Sequence, residues 1–111
     1  MQNRESLCFD DLLLVPQFSD IESRKEIDIG NTLSDIKFTM PVISAPMDTV
    51  TETAMAHTMN KYGGLGIIHR YNTIDEQTKF VRRCVRGNKT ENVAAAIGVT
   101  GDFLDRAIEL T

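Results

Sequence analysis

The pattern of apolar and polar positions has two different periods in the second half of the chain. Short apolar runs typical of buried strands lie near 41–46, 65–69 and 93–99. A segment with apolar residues at helical spacing follows each run, near 50–62, 74–86 and 102–111. This strand–helix alternation predicts parallel strands joined by right-handed crossover connections.

Local signals indicate where the first two helices begin and end. Thr49 and Glu52 have the spacing of a capping box, and so do Thr73 and Glu76. Gly63-Gly64 follows the first helical pattern, and glycine favours the left-handed conformation that ends many helices. We therefore expect a helix to begin close to each threonine.

The first forty residues lack this periodicity, so we divide the chain into an N-terminal arm, 1–40, and a periodic part, 41–111. In the arm, an apolar run at 12–15 is closed by Pro16, and an alternating stretch at 26–29 is closed by Gly30. Both patterns predict short strands or extended segments.

Composition excludes several classes of function. The chain has 111 residues, 41% hydrophobic and 25% charged, with a formal net charge of −4, so the charge of the whole chain does not favour binding to nucleic acid. No apolar run is long enough to span a membrane, and the N-terminus does not resemble a signal peptide. Cys8 and Cys84 lack metal-binding spacing and fit reduced thiols of a cytoplasmic protein.

Strands that are apolar on both faces indicate a sheet covered by helices on both sides. A (β/α)8 barrel and a doubly wound open sheet both satisfy this, and periodicity does not decide between them. In either fold, ligands bind at the carboxyl ends of the strands. Met47, Asp48, His69 and Arg70 follow the first two strands and are therefore the candidate site residues.

Each candidate has a functional and a structural interpretation. Pro46 stiffens the loop before Met47, which then suits contact with a flat base or simply belongs to the core. His69 is a possible general base or a histidine bonded to backbone. Arg70 suits phosphate binding or base stacking, or is a solvated charge. The residues alone therefore identify no catalyst and no metal cluster.

Four blocks of sequence stand out along the chain. They are Phe9-Asp10-Asp11-Leu12-Leu13-Leu14-Val15-Pro16, Ser23-Arg24, Pro41-Val42-Ile43-Ser44-Ala45-Pro46-Met47-Asp48-Thr49-Val50-Thr51-Glu52 and Gly63-Gly64-Leu65-Gly66-Ile67-Ile68-His69-Arg70. In this order and spacing, the blocks resemble the N-terminal region of the IMP dehydrogenase/GMP reductase family. The resemblance covers essentially the whole chain.

The resemblance implies an α/β fold, a (β/α)8 TIM barrel of which this chain holds the arm and the first three βα units. It implies a homotetramer and a purine mononucleotide substrate, with Ala45 and Met47 as substrate-binding residues. Arg70 would lie near the dinucleotide cofactor, where the arginine departs from the family pattern. That cofactor would be NAD, or NADP in a GMP reductase, and a monovalent cation is possible in the full enzyme.

The family's nucleophilic cysteine lies in a later glycine-rich loop, so neither Cys8 nor Cys84 takes that role and we expect the chain alone to be inactive. Arg86–Thr90 lead directly into the third strand without the CBS modules that many IMP dehydrogenases insert, as is common in GMP reductases. Two segments favour IMP dehydrogenase instead, Thr49-Val50-Thr51-Glu52 and Ile74-Asp75-Glu76-Gln77. The alternatives are GMP reductase and a non-catalytic fragment that only binds partners, including the remainder of the barrel.

Overall fold

The computed structural model describes residues 6–87 and 92–111. Two short 3-10 turns come first and are followed by five strands and three α-helices in this part of the chain. The strands and helices are β1 (Asn31–Leu33), β2 (Ile36–Phe38), β3 (Ile43–Ser44), α1 (Thr53–Lys61), β4 (Leu65–Ile68), α2 (Ile74–Gly87), β5 (Val93–Ala95) and α3 (Phe103–Leu110).

Strands β3, β4 and β5 form one parallel sheet in that order. Ser44 pairs with Gly66, and Ile68 pairs with Ala95, so β4 extends beyond β3 at the carboxyl edge. The predicted βαβαβα order and the parallel pairing are confirmed. The outer strands are shorter than the sequence predicted, because the chain leaves the ladder at Ala45 and soon after Ala96, whose N–H still binds the carbonyl of Ile68 at 2.9 Å.

One of the two predicted capping boxes forms. The N–H of Thr73 donates to Glu76 Oε2 at 3.0 Å, and the N–H of Glu76 donates to Thr73 Oγ1 at 3.2 Å. The prediction of a capping box at Thr49 was wrong. The N–H groups of Val50 and Thr51 instead donate to the carbonyl of Met47, so the chain turns there and α1 begins only at Thr53.

The arm agrees only in part with the sequence prediction. The 12–15 run joins no ladder and begins with extended backbone at Leu12, which fits the predicted extended segment. Part of 26–29 lies instead in a 3-10 turn, Arg24–Glu26. A hairpin that the sequence analysis missed pairs β1 with β2 in antiparallel register. Its two-residue turn places Ser34 at φ 53°. Two-residue hairpin turns need such a left-handed conformation, which serine adopts less readily than glycine or asparagine.

The small core lies where α1 and α2 cover the parallel sheet. Ala56, Ile68 and Cys84 are buried together, and Phe80 and Val81 pack against them. Gly63 ends α1 with φ 80°, as expected for a left-handed terminator. The core therefore fixes the strand ends that carry the candidate site residues.

The sequence predicted a direct connection between the second helix and the third strand. Residues 88–91 of that connection lie outside the described residues. Because α2 ends at Gly87 and β5 begins at Val93, the connection is too short to hold an inserted module. Within the described ranges, no helix is both long and apolar enough to cross a membrane.

Candidate functional site

The carboxyl ends of β3, β4 and β5 meet at one edge of the sheet, because the strands are parallel neighbours. We call the segments 45–51, 69–73 and 96–102 that leave this edge the carboxyl rim. Ala45 and Met47 lie in the first segment, and Arg70 lies in the second. All three residues predicted to contact ligand are thus on the rim, and their roles as contacts stay predictions.

Hydrogen bonds within the first rim segment hold the backbone around Met47. The Met47 N–H donates to the carbonyl of Ala45 at 2.8 Å, and the Met47 carbonyl accepts from the N–H of Thr51 at 2.9 Å. The hydroxyl of Thr51, which is fully buried, donates to the carbonyl of Ala45 at 2.6 Å and lies 2.9 Å from Ser44 Oγ. The side chain of Met47 is left half exposed on a fixed backbone.

His69 is buried at the end of β4. Its Nδ1 accepts from the N–H of Tyr71 at 3.1 Å, so in the neutral ring the proton lies on Nε2. Nε2 lies 3.6 Å from Glu52 Oε1, too far for a good hydrogen bond. The backbone-bonded histidine of the structural interpretation is therefore present, and Glu52 is a nearby carboxylate that the sequence did not reveal.

Arg70 extends along the rim toward the third segment. Its guanidinium nitrogen Nη1 lies 3.5 Å from the position that a side-chain carbon on Gly98 would occupy. The guanidinium carbon is also 5.7 Å from the centre of the Tyr71 ring, within reach of a cation–π interaction. An exposed cation and an exposed aromatic ring therefore stand side by side at the rim.

A buried polar network lies directly beneath the rim. Gln77 Nε2 donates to the carbonyls of Ala96 at 2.8 Å and Ile68 at 3.4 Å. Its Oε1 accepts from Arg106 Nη1 at 2.9 Å. Gln77 is completely buried and Arg106 is 5% exposed. Through these hydrogen bonds the network joins α2 and α3 to the strand ends.

Arg106 also binds both neighbouring rim segments. Its Nη2 donates to the carbonyl of Asn72 at 3.0 Å and to Asp102 Oδ2 at 2.7 Å. The hydrogen bond from Arg106 lowers the pKa of Asp102 below its usual value against the opposing effect of desolvation, and the charge of Arg70 contributes further. Asp102 is therefore held as a carboxylate by its hydrogen bond to Arg106.

Sequence reasoning missed Thr51, Gln77 and Arg106. Gln77 did carry a signal, since it shares a helical face with Ile74 and Val81, where an apolar residue is expected. Arg106 carried only its four-residue spacing from Asp102, which is typical of a helical ion pair. Asp102, which partners it, was read only as part of the start of α3.

The described part of the chain contains no candidate metal centre. Within 6–87 and 92–111, no group of three or more His, Cys, Asp or Glu side chains is placed to hold a metal ion. Cys8 is exposed in the arm and Cys84 is buried against α1, and both lie away from the rim segments in sequence.

Comparisons with known proteins identify the family. Residues 6–111 match the family model described as IMP dehydrogenase/GMP reductase domain. The inosine-5'-monophosphate dehydrogenase of Nitrosopumilus maritimus is 51% identical over 87 residues, which cover 78% of this chain and 18% of that protein. The enzyme of the same name from Staphylococcus aureus strain Mu50 is 50% identical over 84 residues, 75% of this chain and 17% of that protein.

The structural comparison gives the same result. The crystal structure of inosine 5' monophosphate dehydrogenase from Legionella pneumophila matches with a TM-score of 0.73 and 37% sequence identity. The match covers 96% of this chain and 32% of that chain, so the chain spans a minor part of the proteins it resembles. Because the family model covers nearly every residue, the chain belongs to the IMP dehydrogenase/GMP reductase family.

Proposed function

We propose that this chain is the N-terminal part of a (β/α)8 barrel of an IMP dehydrogenase, which oxidises IMP to XMP with NAD. The observation that carries the proposal is the half-exposed Met47 on a backbone fixed by Thr51, at the carboxyl end of a parallel strand. A polarizable side chain on a fixed backbone at this edge suits contact with a purine base. Ala45, two residues before Met47 in the same segment, is the second proposed substrate contact.

The rim also fits a dinucleotide. Exposed Arg70 supplies a charge for phosphate, and the exposed ring of Tyr71 supplies a flat surface for stacking. When bound, NAD would accept the hydride that leaves the purine. Arg70 would orient the cofactor, and the hydrogen-bonded rim segments would hold both ligands in place.

The nucleophilic cysteine of the proposed reaction, and its cysteine-linked intermediate, belong to residues outside this chain. The remaining βα units would complete the barrel, and four barrels would form a homotetramer. Exposed apolar residues of the arm support such a partner surface; Phe9, Leu13, Leu14 and Phe18 are each more than 90% exposed. Thiols without a disulfide fit a cytoplasmic location.

GMP reductase, which would convert GMP to IMP with NADPH, is the second candidate. The short connection between the end of α2 at Gly87 and the start of β5 at Val93 favours it. Both candidates use the same rim and the same class of substrate.

Exchange of this chain into complete enzymes tests the proposal. In one chimera, this chain replaces the structurally matched N-terminal part of the Legionella pneumophila dehydrogenase; in a second, it replaces the same part of a GMP reductase. We expect the dehydrogenase chimera to form NADH from IMP and NAD, and the reductase chimera to turn over GMP more poorly. The reverse result would favour GMP reductase, and two inactive but folded chimeras would contradict both functions.

Matched variants of the dehydrogenase chimera test the substrate contact. Met47→Ala removes the proposed purine contact and should raise KM for IMP about tenfold, the effect of losing most of one apolar contact. Met55→Ala is the control, because Met55 is also partly exposed but lies on α1. Equal effects of the two substitutions would contradict the assignment of Met47.

A further inference from the structure

Arg106 connects more parts of the rim than any other side chain described above. It donates to Asn72 in the second rim segment, to Asp102 in the third and to Gln77 on α2. Gln77 in turn binds the carbonyls of Ile68 and Ala96, where β4 and β5 end. One guanidinium thus links both strand ends with both loops that leave them.

The geometry of the guanidinium fixes the directions of its hydrogen bonds. A guanidinium presents its donors in a rigid planar fork, and here both Nη atoms are used. Arg106 is 5% exposed, and a buried cation that loses a partner is strongly destabilised. Separating the two loops would therefore break the hydrogen bonds from this buried guanidinium to Asn72 and Asp102.

The link reaches Arg70 through two neighbours. The guanidinium of Arg70 lies along Gly98 in the same loop that Asp102 closes. Asp102 is held by Arg106 at 2.7 Å, so its negative charge stays in a fixed place near Arg70. A displaced third segment would shift both the backbone beneath Arg70 and the carboxylate that attracts it.

From these contacts we infer that Arg106 is a positioning residue: it fixes the separation of rim segments 69–73 and 96–102 and thereby places Arg70 for contact with the dinucleotide. The inference rests on the proposed function, since it assigns Arg106 to the cofactor side of that site. Arg106 itself is buried beneath the rim and acts through Asn72 and Asp102.

The dehydrogenase chimera with Arg106→Lys tests the inference. Lysine keeps the charge near Asp102 but cannot present the planar fork to Asn72 and Gln77. We expect KM for NAD to rise about tenfold while KM for IMP stays within about twofold, because a small displacement of a positioning group affects the ligand it orients. Asp102→Asn, at a half-exposed position, is a milder second variant with the same expected direction.

Arg83→Lys is the matched control, because it makes the same exchange on the exposed face of α2. Amide hydrogen exchange should show faster exchange in both rim segments for Arg106→Lys and no change for Arg83→Lys. In the Arg70→Ala background, Arg106→Lys should no longer change KM for NAD, since the residue it positions is gone.

Each outcome decides the inference. Additive effects of Arg70→Ala and Arg106→Lys on KM for NAD overturn it, and so does faster exchange with an unchanged KM, which would make Arg106 purely structural. A parent chimera without turnover contradicts the proposed function and the positioning role together. If the parent chimera turns over and its KM for NAD is unchanged by both Arg106→Lys and Asp102→Asn, the positioning role alone is contradicted.

Discussion

At Gly66, α1 crosses β4 so closely that the strand has no room for a side chain. A side-chain carbon at this position would come within 2.7 Å of the Cβ of Ala56 and would also overlap its Cα. Both residues are buried in the core. The small size of Gly66 therefore sets the distance between the helix and the strand that ends at the rim.

We expect Gly66→Ala to lower the stability of the dehydrogenase chimera by about 2 kcal/mol, a typical cost of overpacking a core. Urea unfolding followed by circular dichroism measures this. Gly101→Ala is the control, since Gly101 has φ +68° but no atom within 4 Å of a new side chain, and should cost about 1 kcal/mol for backbone strain alone. An equal or smaller loss at Gly66 would contradict the close approach.

Residue positions on the rim were predictable only where they follow from strand order. Met47 and Arg70 come after apolar runs, and parallel strands end at one edge, so their location followed from the sequence. Thr51 and Arg106 were not predictable. Thr51 binds the carbonyl of Ala45, and Arg106 binds Asn72, which is 34 positions away, and apolar periodicity does not encode such contacts.

At the scale of elements, α1 and α2 show why similar sequence signals gave different results. Thr73 and Glu76 bond each other's N–H groups, and the following residues continue directly into α2. At Thr49, the N–H is taken by Asp48 Oδ1 at 2.9 Å, and the next two N–H groups bind Met47. The Thr49 N–H is thus not available to the Glu52 side chain, as a capping box requires.

The capping box predicts a pH dependence of stability. Hydrogen bonds from Thr73 lower the pKa of Glu76 below its ordinary value of 4.5. A carboxyl group whose pKa is lower in the folded chain contributes stability above the unfolded pKa and loses it as the pH falls through the folded pKa. We therefore expect Glu76→Gln to destabilise the chimera at pH 7 and to have a smaller effect in acid.

Thermal unfolding at pH 7 and about pH 3.5 measures this difference. Asp75→Asn is the control, because it changes the neighbouring acidic residue of the same helical turn and leaves the bonds between Thr73 and Glu76 intact. A Glu76→Gln effect that is independent of pH would contradict the proposed role of the carboxylate.

For the molecule as a whole, three parallel strands make an open sheet with two edges. The arm also exposes large apolar side chains, among them Phe9, Leu13 and Leu14. Apolar surface of this kind and unpaired strand edges both promote association. The sequence predicted the order of the elements, but not the hairpin of the arm, whose register depends on a left-handed serine at Ser34.

We expect the isolated chain of 111 residues to self-associate and to show no oxidation of IMP. A closed barrel needs eight strands, and β5 has a free edge without the next one. Size-exclusion chromatography with light scattering, together with an assay of NADH formation, measures both properties, with the dehydrogenase chimera as the active control. A monodisperse monomer with sustained turnover would contradict the expectation.

The most direct test of the central claim is a crystal structure of the dehydrogenase chimera with bound IMP. We predict that the purine lies at the carboxyl rim, with its ring within about 4 Å of the Met47 side chain and with Ala45 along the same segment. A purine bound at the opposite edge of the sheet, or at the rim but out of contact with Met47, would contradict the assignment.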